Sequence, residues 1–127
     1  MSRVVLDSSA VLALLNGERG SDAVRENLAQ ATISAVNIAE VVTRLARAGE
    51  QRGAIQEVLN LLDLTVADFD DGLAKDTGML VVKTAKAGLS LGDRACLALA
   101  AREDLPALTA DRAWSNLEIG VEVRFVR

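Results

Sequence analysis

The sequence contains no histidine and no tyrosine. Serine–histidine chemistry, imidazole metal sites and a histidine general base are therefore excluded. Cys96 is the one cysteine, so no internal disulfide can form, and a reducing cytoplasm is the expected compartment. Aromatic residues are scarce, at 2%, so the core must be built from Leu, Val, Ile and Ala. That composition suits helices packed on a buried parallel sheet. No run approaches the roughly 18 apolar residues of a membrane span. Asp7 interrupts the N-terminal apolar segment and Asn16-Gly17-Glu18-Arg19 follows it, which reads as structure rather than a signal peptide. Positive charge is also in deficit: the formal net charge is −4, so bulk electrostatics do not favour nucleic acid. A polyanionic substrate would need metal ions or a local arginine patch. What remains is carboxylate, hydroxyl, lysine and arginine chemistry, on a chain of 127 residues that suits one domain over 1–127.

The chain alternates strand and helix signals. Val4-Val5-Leu6 reads as a buried strand ended by Asp7 and turning straight into a helix, for which Ala10 to Leu15 is the apolar stretch. A polar loop leads to a helix capped by Ser21 or Asp22 and running to about Gln30. Thr32–Ser34 is a second strand. Val36 to about Ala48 is a strong helix closed by Gly49. A further helix covers Gln51 to Leu62, and Leu64–Ala67 is a third strand. The next helical pattern starts at Asp68 to Asp71 and reaches Lys86, as one helix or as two pieces divided at Gly78. Ser90 to Asp93 opens a helix ending near Glu103. Leu105–Thr109 is a fourth strand, with the only proline, Pro106, near its start. Arg112–Leu117 is a short helix and Val121–Val126 a last strand. The alternation predicts an α/β fold with a mainly parallel sheet.

Four acids stand out by position: Asp7, Glu40, Asp93 and Asp111. Asp7 and Asp111 end apolar strands and precede helices, which puts both at the carboxyl edge of a parallel sheet, where α/β proteins place their ligands. Asp93 lies in the first turn of a helix that begins at that edge if it runs antiparallel to the strands. Glu40 lies in the second turn of the helix after the second strand. Each has a structural alternative. Asp7 and Asp111 suit helix N-caps, Asp93 a capping box with Ser90, and Glu40 a surface pair with Arg44. If the four converge, each pair at ~4 Å repels by about 4 kcal/mol at an effective dielectric of 20. Such a cluster needs protonation, an arginine or a divalent cation. Oxygen-only ligands select Mg²⁺ or Mn²⁺, whose usual work among carboxylates is phosphoryl and phosphodiester chemistry.

Four stretches carry a family resemblance. They are Val5-Leu6-Asp7-Ser8-Ser9, Asn37-Ile38-Ala39-Glu40-Val41, Leu89 to Ala100 around Ser90-Leu91-Gly92-Asp93-Arg94, and Leu108-Thr109-Ala110-Asp111-Arg112-Ala113-Trp114. In this order they resemble a PIN-domain ribonuclease of the VapC toxin type. The resemblance implies a three-layer fold with sheet order 3-2-1-4-5. It implies that Asp7, Glu40, Asp93 and Asp111 bind Mg²⁺ or Mn²⁺ and are catalytic, supported by the hydroxyls of Ser9 and Thr109. It implies hydrolysis of RNA to a 5′-phosphate and a 3′-hydroxyl, a homodimer, and inhibition by a VapB antitoxin. Some relatives carry a further acid after the Asp111 position. Arg112, Ser115 and Asn116 fill that segment here, which favours one metal over two.

Arg94 and Arg112 flank two of the acids and are candidate contacts to RNA phosphates. Arg44, Arg47 and Arg52, around the Gly49 turn, are a second candidate patch. Trp114 is expected in the core, and Cys96, at i+3 from Asp93, as a small buried hydrophobe. Two rival readings stand beside the nuclease. One is a PIN-like scaffold that binds RNA or an antitoxin without cutting. The other is a receiver-type signalling domain, against which stand a single Asp7 where a receiver has an acidic pair and the absence of a lysine beyond Lys86.

Overall fold

The computed structural model describes residues 3–127. Strands β1 (Val4–Leu6), β2 (Ala31–Ser34), β3 (Thr65–Ala67), β4 (Ala107–Thr109) and β5 (Val123–Phe125) form one sheet in the order β3-β2-β1-β4-β5. All four pairings are parallel. The receiver fold orders its strands 2-1-3-4-5, so the topology removes that rival. The helices are α1 (Ser8–Leu15), α2 (Ser21–Asn27), α3 (Ala35–Arg47), α4 (Arg52–Leu62), α5 (Asp71–Met79), α6 (Val81–Thr84) and α7 (Leu91–Glu103).

The central strand carries the core on both faces. Val4 and Leu6 join a cluster with Val11, Val24, Ile33 and Val41, whereas Val5 joins one with Leu73, Leu97, Leu99 and Trp114. This is the period-2 alternation of a strand covered on both sides. Burying each large aliphatic side chain contributes about 1.5–3 kcal/mol. Trp114 is buried in the second cluster, and Cys96 is fully buried beside it.

Several element ends differ from expectation, each for a local reason. The 68–86 stretch is two helices, divided at Leu80 and not at Gly78, and followed by a 3-10 turn over Ala85–Ala87. Asp70 sets the start of α5, accepting from the Leu73 amide at 2.8 Å and bridging bidentately to Arg102. Neither Ser21 nor Asp22 caps α2. Gly20 does, at φ 97°, where a Cβ would collide with Val126. Arg112–Trp114 is a single 3-10 turn, and the chain leaves it with Asn116 at φ 66°. Pro106 precedes β4 rather than lying in it. Its carbonyl accepts from the Val5 amide, so the missing N–H leaves no gap in the ladder. Among the described residues no helix is long and apolar enough to cross a membrane.

Candidate active site

The parallel register pairs Leu6 with Leu108. The next residues, Asp7 and Thr109, therefore meet at the carboxyl edge of the two central strands, and the Asp7 amide donates to the Leu108 carbonyl at 3.0 Å. Asp7 is 1% exposed. Its carboxylate does not cap α1, as the alternative reading had it. Oδ2 instead accepts from Ser9 Oγ at 2.6 Å and from Thr109 Oγ1 at 3.0 Å. The two hydroxyls lie 3.1 Å apart and are themselves held by backbone, with Ala110 N donating to Ser9 and Asp111 N to Thr109, each at 3.0 Å. Asp7 Oδ1 is buried without a partner. Burial pushes the Asp7 pKa from 3.8 up to about 6; the Ser9 hydrogen bond opposes the rise, and the charge of Asp93 adds to it.

Glu40 comes from the second turn of α3. Ser34 starts this helix by accepting from the Val36 amide. Glu40 is not paired with Arg44. Its Oε1 accepts from Ser8 Oγ at 2.9 Å and from Asn37 Nδ2 at 2.8 Å. Asn37 is fully buried and also donates to the Gly92 carbonyl at 3.0 Å, tying α3 to the start of α7. The Glu40 carboxylate occupies the space a Cβ on Gly92 would take. Asp93 makes the capping box the sequence offered. Ser90 N donates to its Oδ2 at 2.9 Å, and Ser90 Oγ accepts from its amide at 3.2 Å. Burial still raises its pKa, with Asp111 and Glu40 adding repulsion. Asp111 caps the turn after β4 through the Ala113 amide at 2.9 Å.

The four acids thus come from four elements and feel one another. Asp7 is coupled to Asp93 and Glu40, and Asp93 to Asp111 and Glu40. Among the described residues, no lysine or arginine forms a salt bridge with any of them. As the side chains stand, no three acidic side chains among the described residues are gathered closely enough to hold a metal ion. Ser8, Asn37 and Gly92 are the positioning residues that sequence reasoning missed. The signal was present for one of them: Asn37 and Glu40 are spaced i, i+3 on one helix face.

The candidate arginines separate. Arg94 turns away from the acids, donating to the Thr77 carbonyl at 2.9 Å, with its Nε buried and unpartnered. Arg112 stacks over the Phe125 ring, 4.4 Å from its centroid, and donates to the Arg127 carbonyl. Arg44 and Arg47 line a groove with Glu40, whereas Arg52 lines a different depression with Val42 and Glu50.

An all-parallel sheet of order 3-2-1-4-5, with Asp7 and Asp111 beyond the carboxyl ends of two adjacent strands, is the topology of the PIN-like class of α/β domain. The chain belongs to the PIN domain family, whose model matches residues 4–119. No curated protein sequence matches it. Solved structures share the fold at low identity. A toxin–antitoxin complex from Klebsiella pneumoniae superposes with a TM-score of 0.74 at 19% identity, covering 98% of each chain. VapC20 of Mycobacterium tuberculosis, described as a sarcin-ricin loop cleaving toxin, gives 0.70 at 18%, covering 94% of this chain and 98% of that one. FitAcB from Neisseria gonorrhoeae gives 0.68 at 21%, covering 97% of each.

Proposed function

We propose that the protein is a Mg²⁺- or Mn²⁺-dependent endoribonuclease, the toxin of a toxin–antitoxin pair, acting in the cytoplasm as a homodimer held in check by a VapB-like antitoxin. The observation that carries the reading is a set of four carboxylates on a PIN fold, Asp7 feeling the charges of Asp93 and Glu40 and Asp93 those of Asp111 and Glu40, with no salt-bridge partner among the described residues. The orphaned Oδ1 of buried Asp7 fits a hard cation, since a carboxylate oxygen taken from water without a donor is otherwise a net cost. Asp7, Glu40, Asp93 and Asp111 would hold the ion. Bound there, it would supply charge neutralisation at a phosphate and acidify water. The chain's own part is positioning. Ser9 and Thr109 fix Asp7; Ser8 and Asn37 fix Glu40; Ser90 fixes Asp93. The toxin assignment and the antitoxin partner are supported by the neighbours, several of which are toxin–antitoxin complexes.

The test is cleavage of purified total RNA by wild-type protein and by the Asp93→Asn variant, with Mg²⁺, Mn²⁺ or EDTA. Metal-dependent cutting that the variant loses is the expected result. If wild-type protein neither cuts RNA nor binds either metal by calorimetry, the non-cutting scaffold is the correct reading.

A further inference from the structure

A chain of net charge −4 that presents four carboxylates to a polyanion needs local positive charge beside them. Two of the arginines nearest the acids in sequence are committed elsewhere, Arg94 to Thr77 and Arg112 to Phe125. Arg44 and Arg47 are not. Both are exposed, and neither side chain forms a hydrogen bond or ion pair among the described residues. With Glu40 they stand at i, i+4 and i+7, one stripe along α3. The stripe lines an open groove of about 480 Å³ whose apolar lining includes Leu12, Val36 and Leu91 and whose polar lining includes Ser8, Thr43 and Ser90. Along the helix axis Arg44 lies ~6 Å and Arg47 ~10 Å beyond Glu40, at 1.5 Å per residue. These steps are on the scale of successive nucleotides. Both arginines also oppose the dipole at the end of α3, but that role does not require the groove or its continuity with Glu40.

We propose that this face of α3 is the track of the RNA strand flanking the scissile phosphate, with Arg44 and Arg47 each holding one backbone phosphate. The proposal rests on the ribonuclease reading for its substrate. Phosphate is the natural occupant because the positive charges recur one helical turn apart and lead into the acid cluster, as a backbone-tracking groove requires.

The experiment measures binding of a 5′-fluorescein-labelled, random-sequence ten-nucleotide RNA by anisotropy, in EDTA so that the RNA stays intact, over a salt titration. Wild-type protein is compared with R44A/R47A, R44K/R47K and R52A, each first shown by thermal melting to be folded. Loss of two phosphate contacts lowers the slope of log K against log salt by about 1.4, at about 0.7 per phosphate for single strands. R44A/R47A should show that loss, whereas R44K/R47K and R52A should keep the wild-type slope. An unchanged slope in R44A/R47A overturns the proposal and assigns the groove to another partner. An equal loss in R52A, or no saturable RNA binding by wild-type protein, also overturns it. Because the readout needs neither metal nor cleavage, a failure of the nuclease reading leaves this result independently legible.

Discussion

Replacing Asp7 by Asn should make the metal-free protein more stable while abolishing RNA cleavage. Asp7 is 1% exposed, and its raised pKa measures the cost of keeping it ionised in the fold. The rise from 3.8 to about 6 corresponds to about 3 kcal/mol at 1.36 kcal/mol per pH unit. The sign follows from linkage. Between pH 3.8 and about 6 the native state holds a proton that the unfolded chain has released, so stability rises as pH falls through this window. Above about pH 6 the penalty is present in full. Asn has nearly the same shape, is neutral at every pH, and keeps an oxygen for Ser9 and Thr109. Its amide nitrogen replaces the orphaned Oδ1 and, if unpartnered, costs about 1 kcal/mol. The net gain at pH 8 is about 2 kcal/mol, or a rise in Tm of roughly 6–10 °C for a chain of this size.

The assay is thermal denaturation followed by circular dichroism, in EDTA, at pH 8 and pH 4. The variant's advantage should be large at pH 8 and vanish at pH 4, where the wild-type carboxyl is largely protonated. A variant less stable than wild type at pH 8, or a gap that is the same at both pH values, would refute the claim that Asp7 carries an uncompensated buried charge.

Gly92→Ala should leave stability within about 1 kcal/mol, because the helix propensity gained offsets the displacement of a flexible side chain. Its Cβ would expel the Glu40 carboxylate, so cleavage should fall on the order of a hundredfold, measured as kcat/KM. Asn37→Ala removes the tie between α3 and α7 and should cost about 1–3 kcal/mol in urea unfolding, with cleavage reduced as well. Asp70→Ala should destabilise without touching cleavage, since Asp70 caps α5 and pairs with Arg102 in the last turn of α7, whereas Asp93 lies in the first. The Arg102 hydrogen bond lowers its pKa from 3.8 to about 2, so its contribution is present above pH 3.8 and lost as pH falls through about 2, which acid titration of both proteins would show. Cys96 is fully buried, and burial raises its pKa, so a thiol reagent should leave the native protein untouched and react only after unfolding.

How much of this was legible in the sequence depends on whether a feature is set locally. β1, α1, α3 and α7 declare themselves through short-range pattern and caps, and Asp7 and Asp111 follow because one comes directly after a buried strand and the other two residues after one. The capping box of Ser90 and Asp93 was readable for the same reason. Glu40 was the least predictable acid because its position depends on how α3 leans against α7, and that lean is set by Asn37 reaching the Gly92 carbonyl, 55 residues away. Arg94 could not be placed from sequence. Its direction follows from the packing of α7 on α5, where the Thr77 carbonyl takes it. The division of the 71–84 stretch was announced by Gly78 but falls two residues later, at Leu80.

Gly92 also explains how the acidic site tolerates its own charge. Only a residue without a side chain lets the Glu40 carboxylate lie against the first turn of α7. There the free amides and the helix dipole present partial positive charge, and Asp93 sits in that same turn. Two of the four anions therefore share one helix start, and Asp7 is held by two hydroxyls anchored to the Ala110 and Asp111 amides. Backbone dipoles thereby offset part of the cluster's charge, which no salt bridge among the described residues does. Backbone dipoles cannot migrate to neutralise the carboxylates as a lysine or arginine would, so the negative potential stays available for a cation. An arginine introduced at Ser8, which already reaches Glu40, should accordingly stabilise the metal-free fold and silence the site at once.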